Sequence, residues 1–394
     1  MVIGVNLQSC KSSKKEDPIP TIPIGGIFSL TENWTTLGEN SVYAMQVAQD
    51  DINTYLAFKN APFRIQSAVA NTQLNPNEAK KSFDAAVKGG IKFLIGPQSS
   101  AELSAVMPLV GSKALLISQS STAGSLAIEG DGVFRFCPPD HIEGNAIANT
   151  IYNNGIKALV TVARNDDGNT GLQTATGTAF TALGGHIDAM TPYGTSVTNF
   201  TSIVATLKSK VEAAKTTYGD DKVGVYLASF DEAVALFKAA ANEPVLKTVK
   251  WFGGDGIVLS AALLADTQAA DFAIATSFYA PTFGLPQSLN TKWAPVAARI
   301  KRLSNVDPDA FALAVYDIMW TIAYTLEATN GDVSNMETLR TKFVEQAHAH
   351  EGITGDITLD DAGDRQSGIF DYWAIKKDGN TYKWYVSGTS SSTN

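Results

Sequence analysis

The sequence predicts an α/β protein made of two Rossmann-like, doubly wound lobes, and three observations carry that prediction. Its 394 residues exceed the roughly 250 to 300 that a single hydrophobic core organises. From Ile22 onward, strand-like apolar runs alternate with segments of helical spacing, and Gly, Pro, Asn or Ser marks each change. Residues 91–95 and 114–117 are short and continuously apolar, as strands covered on both faces of a parallel sheet are.

Residues 24–30 are expected as the first strand. A helix follows over 40–56, with Met45, Ala48, Ile52 and Leu56 on one face. Residues 63–70 make a second strand, after which Asn75 caps and Pro76 opens a helix that Gly89-Gly90 ends. The helix between the two continuous strands covers 100–111. The alternation restarts after Pro138-Pro139: strand 158–162, helix 171–183 stopped by Gly184-Gly185, helix 199–216, strand 223–227, helix 231–241, and strands 248–252 and 272–276. A long apolar helix spans 308–329, and β segments over 357–386 close the chain. No repeat of 20 to 50 residues is visible, which argues against solenoids and propellers.

Composition narrows the function. Thirty Lys and Arg stand against thirty-nine Asp and Glu, a net charge of -9, which repels a polyanion and disfavours nucleic acid as a partner. Two cysteines, Cys10 and Cys137, provide neither a disulfide framework nor a zinc site. Leu7-Gln8-Ser9-Cys10 resembles a bacterial lipobox, with Cys10 as the lipidated residue, and the polar stretch from Lys11 to Pro18 suits a leash. The other reading of this segment is a cloning remnant beside a chance cysteine.

No dinucleotide GxGxxG, phosphate loop, nucleophile elbow or HExxH helix is present, which weakens an enzymatic reading. His348 and His350 read as solvated residues, and Asp360-Asp361-Ala362-Gly363-Asp364 as an acidic turn lacking calcium-loop spacing. Neither metal nor cofactor is expected. The chemistry gathers instead where strands end, since open α/β sheets bind ligands beyond their carboxyl edges. Gly96-Pro97-Gln98-Ser99-Ser100 and Ser118-Gln119-Ser120-Ser121-Thr122 each follow a strand and offer hydroxyls and helix N-terminal amides suited to a carboxylate; plain helix capping is the alternative. Gly253-Gly254-Asp255-Gly256 places one carboxylate, Asp255, at another strand end, able to balance an ammonium or simply to bond its own turn. Trp34 and Phe230, on loops after strands, are apolar walls or core.

These residues resemble the type I periplasmic, or extracellular, solute-binding proteins of ABC transporters, in the leucine/isoleucine/valine-binding group. The segments that carry the resemblance are IPIGGIFSLTENWTTLGENSVYAMQVAQDDIN, IKFLIGPQSSAEL, ALLISQSSTAGSLA, VYLASFDEA, FGGDG, FALAVYDIMW and GITGDITLDDAGDR. The resemblance implies two lobes joined by three crossovers that close on a ligand. It divides the chain into a tether (1–20), a first lobe (21–138 plus 281–353) and a second lobe (139–280 plus 354–388). By motif, Ser99 or Ser100 matches the serine that receives an amino-acid carboxylate. Ser121 and Thr122 match the neighbouring loop, Asp255 the acidic partner of the ammonium, and Leu37, Ser229 and Phe230 side-chain contacts. The pattern breaks at Gly168-Asn169, where relatives carry an aromatic residue and then glycine, so a larger or more polar ligand than leucine has room.

The expected function is therefore that of a non-enzymatic, monomeric binder of an amino acid or similar small zwitterion. It would serve a membrane permease from outside the cytoplasm, with Cys10 as a possible anchor. A ligand-sensing domain of the same fold is the alternative. A hydrolase would need a base near Ser99 or Ser121, and no histidine falls in a matching loop.

Overall fold

In the computed structural model, which describes residues 18–392, the apolar runs pair into two sheets. The first contains β1 (Thr21–Phe28), β2 (Arg64–Asn71), β3 (Phe93–Ile95), β4 (Leu115–Ser118) and β5 (Val133–Arg135), in the order β2-β1-β3-β4-β5 with every pairing parallel. Parallel neighbours require crossovers, and α1 (Thr35–Phe58), α2 (Pro76–Lys88) and α3 (Ser100–Val110) supply them. Asn75 caps α2 as its sequence suggests, its side chain accepting from the Asn77 and Glu78 amides.

After Pro139 the chain builds α4 (Asp140–Asn153), β6 (Ala158–Ala163), α5 (Asp167–Ala182), β7 (His186–Ala189), α6 (Thr201–Tyr218), β8 (Val223–Ala228), α7 (Ala233–Ala240), β9 (Lys250–Gly253), α8 (Ala261–Ala265), α9 (Thr267–Ala275) and β10 (Tyr279–Phe283). It then turns back to the first sheet with α10 (Asn290–Ser304), α11 (Ala310–Ala328) and α12 (Met336–Ala349). One apolar cluster joins Ile24, Phe93 and Ile117 of the first sheet to Ile300, Leu313 and Phe343 of these helices. Finally β11 (Gly368–Asp378) and β12 (Thr381–Ser392) add an antiparallel hairpin to the second sheet, whose order is β12-β11-β10-β9-β8-β6-β7.

Three strands of chain thus pass between the sheets, and buried polar groups tie them together. Arg135 and Asp364 form an ion pair in which both residues are buried, and the Arg365 amide donates to the Arg135 carbonyl at 3.1 Å. Asp317 accepts from the Ile353 amide at 2.7 Å and from the Thr354 amide at 3.0 Å. Arg365 donates to the Thr354 hydroxyl at 2.9 Å.

One expected strand is corrected. Residues 272–276 lie in α9, because Asp266 caps that helix, accepting from the Gln268 and Ala269 amides at 3.1 and 3.0 Å. Ala269, Ala270, Phe272 and Ala273 then form its buried face. A short apolar run fits a buried helix as well as a strand, and the strand itself is β10, just beyond. The segment containing Cys10 lies outside the described residues.

Candidate functional site

The carboxyl edges of both sheets face each other, and the expected residues divide between them. Ser99 is a helix cap: its hydroxyl donates to Glu102 Oε2 at 2.7 Å and accepts from the Glu102 amide at 3.3 Å, so both its functions are used locally. Ser100 stands at the start of α3, where its hydroxyl takes the Ser121 hydroxyl at 3.0 Å and the Ala123 amide at 3.3 Å. The adjacent loop is held in shape by Ser118, which donates to the Pro97 carbonyl at 2.7 Å, and by Ser120, which donates to the Gln98 carbonyl at 2.8 Å. Leu37 is buried within the core of the first sheet and its helices.

Trp34 ends the loop after β1 in the left-handed region, φ 56° and ψ 35°, a conformation that a bulky residue adopts only when its surroundings impose it. Those surroundings include the opposite lobe. The Trp34 amide donates to Asp231 Oδ2 at 2.9 Å, Asn33 Nδ2 donates to Glu232 Oε2 at 2.7 Å, and the Asp231 amide donates to Asn33 Oδ1 at 2.9 Å. The Trp34 ring stacks on Phe230 with centroids 4.6 Å apart. Gln98 braces this loop from behind, donating to the Trp34 carbonyl at 2.9 Å and accepting from the Ser29 amide at 3.0 Å. The lobes are therefore in contact at the mouth of the cleft.

They also meet at Gly168, in the first turn of α5. A Cβ there would stand 3.4 Å from Ser100 Oγ, so the aromatic side chain missing from the pattern leaves a place that the Ser100 hydroxyl abuts. Ser229 is fully buried with its hydroxyl unpartnered. Gly256 allows the turn after β9 to pass close to the Phe230 ring, which a Cβ would meet at 2.6 Å.

Asp255 follows β9 and does not stand alone. Asp140, at the first position of α4, and Glu143, one turn later, share its surroundings. Burial pushes Asp255 up to about 8, with the Asp140 charge adding to the rise. Asp140 is pushed up to about 7, mainly by burial, although the Thr122 hydroxyl and Arg135 act in the other direction. Glu143 rises well above the usual carboxylate range through burial and the charges of Asp255 and Asp140. Neither Asp140 nor Glu143 has a hydrogen-bond partner within bonding geometry on either carboxyl oxygen. Leaving such groups buried and unmet costs about 1–3 kcal/mol each, and more when charged. The sequence reading passed over Asp140 and Glu143; the available signal was an acidic pair at i and i+3 opening a helix directly after Pro138-Pro139.

The receptor family ligand binding region model matches residues 41–378 of the chain. The chain belongs to that family. An uncharacterized protein of Methanocaldococcus jannaschii is 30% identical over 419 residues, which covers 100% of this chain and 96% of that one. Among solved structures, the leucine binding protein LivK of Thermotoga maritima superposes with a TM-score of 0.72 at 18% identity, covering 94% of this chain and 98% of that one. LivJ of Streptococcus pneumoniae, in complex with isoleucine, gives 0.75 at 18%, covering 94% and 99%. A solute binding protein of R. palustris in complex with benzoate gives 0.74 at 17%, covering 95% and 98%. These likenesses establish the type I periplasmic binding protein fold for this family member. The family is one of ligand binding.

Proposed function

We propose that this chain is an extracytoplasmic solute-binding protein whose lobes close on an amino acid or related small zwitterion and present it to the permease of an ABC transporter. The observation that carries the reading is the pairing of opposite chemistries across the cleft. Ser100, Ser121 and Thr122 offer hydroxyls and α3 its N-terminal amides on one side, and Asp255 sits among glycines on the other. A ligand carboxylate suits the first and an ammonium the second. Each lobe then holds part of the ligand, so binding favours closure.

The isoleucine and benzoate held by the two structural relatives share a carboxylate and differ in the ammonium, and Asp255 supports the amine-bearing choice. The protein would act as a monomer and without catalysis. Among the described residues no helix is long and apolar enough to cross a membrane; the lipobox-like context of Cys10 makes that residue the proposed anchor. Small-angle scattering during titration with a panel of amino acids tests the reading. Saturable binding with a fall in radius of gyration supports it, and an unchanged profile with every amino acid overturns it.

A further inference from the structure

Because the strands of the first sheet all run parallel, each connecting helix returns the chain to the same amino edge, at the opposite end of the strands from the cleft. Five cations gather along that edge. Lys59 follows α1, Arg64 opens β2, Lys88 ends α2, and Lys92 and Lys113 precede β3 and β4. Their contacts are with neutral groups: Lys92 Nζ donates to the Lys113 carbonyl at 3.3 Å, and Arg64 donates to the carbonyls of Ala61 and Phe63 at 3.1 and 2.7 Å. The ion pairs among the described residues include none of the five. The amino edge of the second sheet differs, since Lys215, Lys222 and Lys377 there stand beside Asp220, Asp221 and Asp271.

A cation at a helix end offsets the helix dipole, and Lys88 is so placed. A second observation at the same edge exceeds that role. Phe58, the last residue of α1, is 84% exposed, and Ile19, on the entering chain, is 51% exposed. That chain enters beside the cations: the Pro20 carbonyl accepts from the Arg64 amide at 2.9 Å, and Thr21 pairs with Arg64. Water-facing apolar side chains among unpaired cations suit the two attractions of a bilayer surface, apolar insertion at the headgroup boundary and the charge of anionic lipid. The net charge of -9 does not cancel the second, because charges more than about 8 Å away are largely screened at physiological salt. Glu327 and Asp332, at the end of α11 on the same side, accept locally, from the Tyr55 hydroxyl at 3.0 Å and the Ser334 amide at 2.8 Å. Chain length agrees, since from Cys10 to Thr21 even a fully extended chain spans at most about 40 Å, which keeps this edge close to any lipid held by Cys10.

We propose that the amino edge of the first lobe docks on a membrane surface rich in anionic lipid, with Phe58 inserted at the headgroup boundary and Lys59, Lys88 and Lys113 against the lipid charges. The cleft, at the other end of the same strands, stays clear of the membrane. This goes beyond the transport reading and holds whatever the solute is. Co-sedimentation of the full chain carrying Cys10→Ser, which removes any lipid anchor, tests it with vesicles of phosphatidylcholine alone and of phosphatidylcholine mixed with an equal part of phosphatidylglycerol. Pelleting with the mixed vesicles alone is expected, reversed by added salt. Lys59→Gln, Lys88→Gln and Lys113→Gln, all at exposed positions, should together lower the vesicle partition at least about tenfold, at roughly threefold to fivefold per charge. Phe58→Ser should lower it about threefold. Lys250→Gln with Lys376→Gln, exposed at the amino edge of the second sheet, should leave it within about twofold of the parent. Tm and circular dichroism of every variant should match the parent. No pelleting with the mixed vesicles, equal pelleting with neutral ones, or parent-like pelleting of the triple variant or of Phe58→Ser overturns the proposal. An equal loss from the pair in the second lobe overturns it as well.

Discussion

The ring of Trp34, on the loop after β1, stacks on the ring of Phe230, on the loop after β8, at an interplanar angle of 28°. The two residues belong to different sheets, so this contact exists only while the cleft is shut. Such an aromatic pair contributes about 0.5–1.5 kcal/mol beyond its buried area. Removing it biases the lobes toward opening, and ligand binding then has to supply what the stack supplied. Trp34→Ala should weaken the affinity for the natural solute by roughly twofold to tenfold, read by calorimetry, with slower closure read by stopped-flow fluorescence of the other tryptophans. Unaltered affinity would place the stack outside the closing mechanism.

Asp255 is the second test. Exchange for alanine should reduce affinity by at least roughly tenfold to a hundredfold, because a charge-assisted hydrogen bond is lost inside a closed cleft. Asp255→Asn keeps an acceptor but no charge, and should fall between the two. A variant series that binds as tightly as the parent would remove Asp255 from the site.

Three carboxyls, Asp140 buried and Asp255 and Asp309 half-buried, give the unliganded protein a distinctive pH dependence. Asp309, Asp140 and Asp255 are raised by burial to about 6, 7 and 8, so the folded chain keeps protons that the unfolded chain has already released. The unfolded state then binds fewer protons, and stability falls as pH rises from the ordinary aspartate range to about 8. Thermal melts of the ligand-free protein should show Tm declining from a pH of about 5 to about 8.5, with saturating ligand flattening the decline. A Tm that climbs through this window would contradict the assignment.

At the crossings between lobes, Asp364→Ala should leave the Arg135 guanidinium buried without its partner. The expected loss is about 3–5 kcal/mol of stability, measured by urea unfolding. A loss below about 1 kcal/mol would mean that the pair is dispensable.

Much of this was legible in the residues themselves. The Asn75 cap and the continuous strands at 93–95 and 115–118 follow from local chemistry that nothing distant overrides. Residues 272–276 went wrong because a five-residue apolar run carries no period, and the deciding cap, Asp266, lies outside it. β7 was missed for a related reason: His186–Ala189 is a partly exposed edge only four residues long, too short for its alternation to stand out. In the site, Ser99 looked like a ligand group and proved to be held by Glu102, three residues away. Glu143 was marked only as the second of an acidic pair opening a helix, and its nearness to Asp255, far along the chain, comes from the fold alone.

The central claim is that a small amine-bearing solute is enclosed between the serine-rich loops and the carboxylates around Asp255. Mass spectrometry of small molecules released by denaturing protein purified without ligand exchange tests it most directly. A stoichiometric α-amino acid or close zwitterionic relative is the predicted result. A carboxylic acid without any amino group, or a neutral solute, would contradict the account.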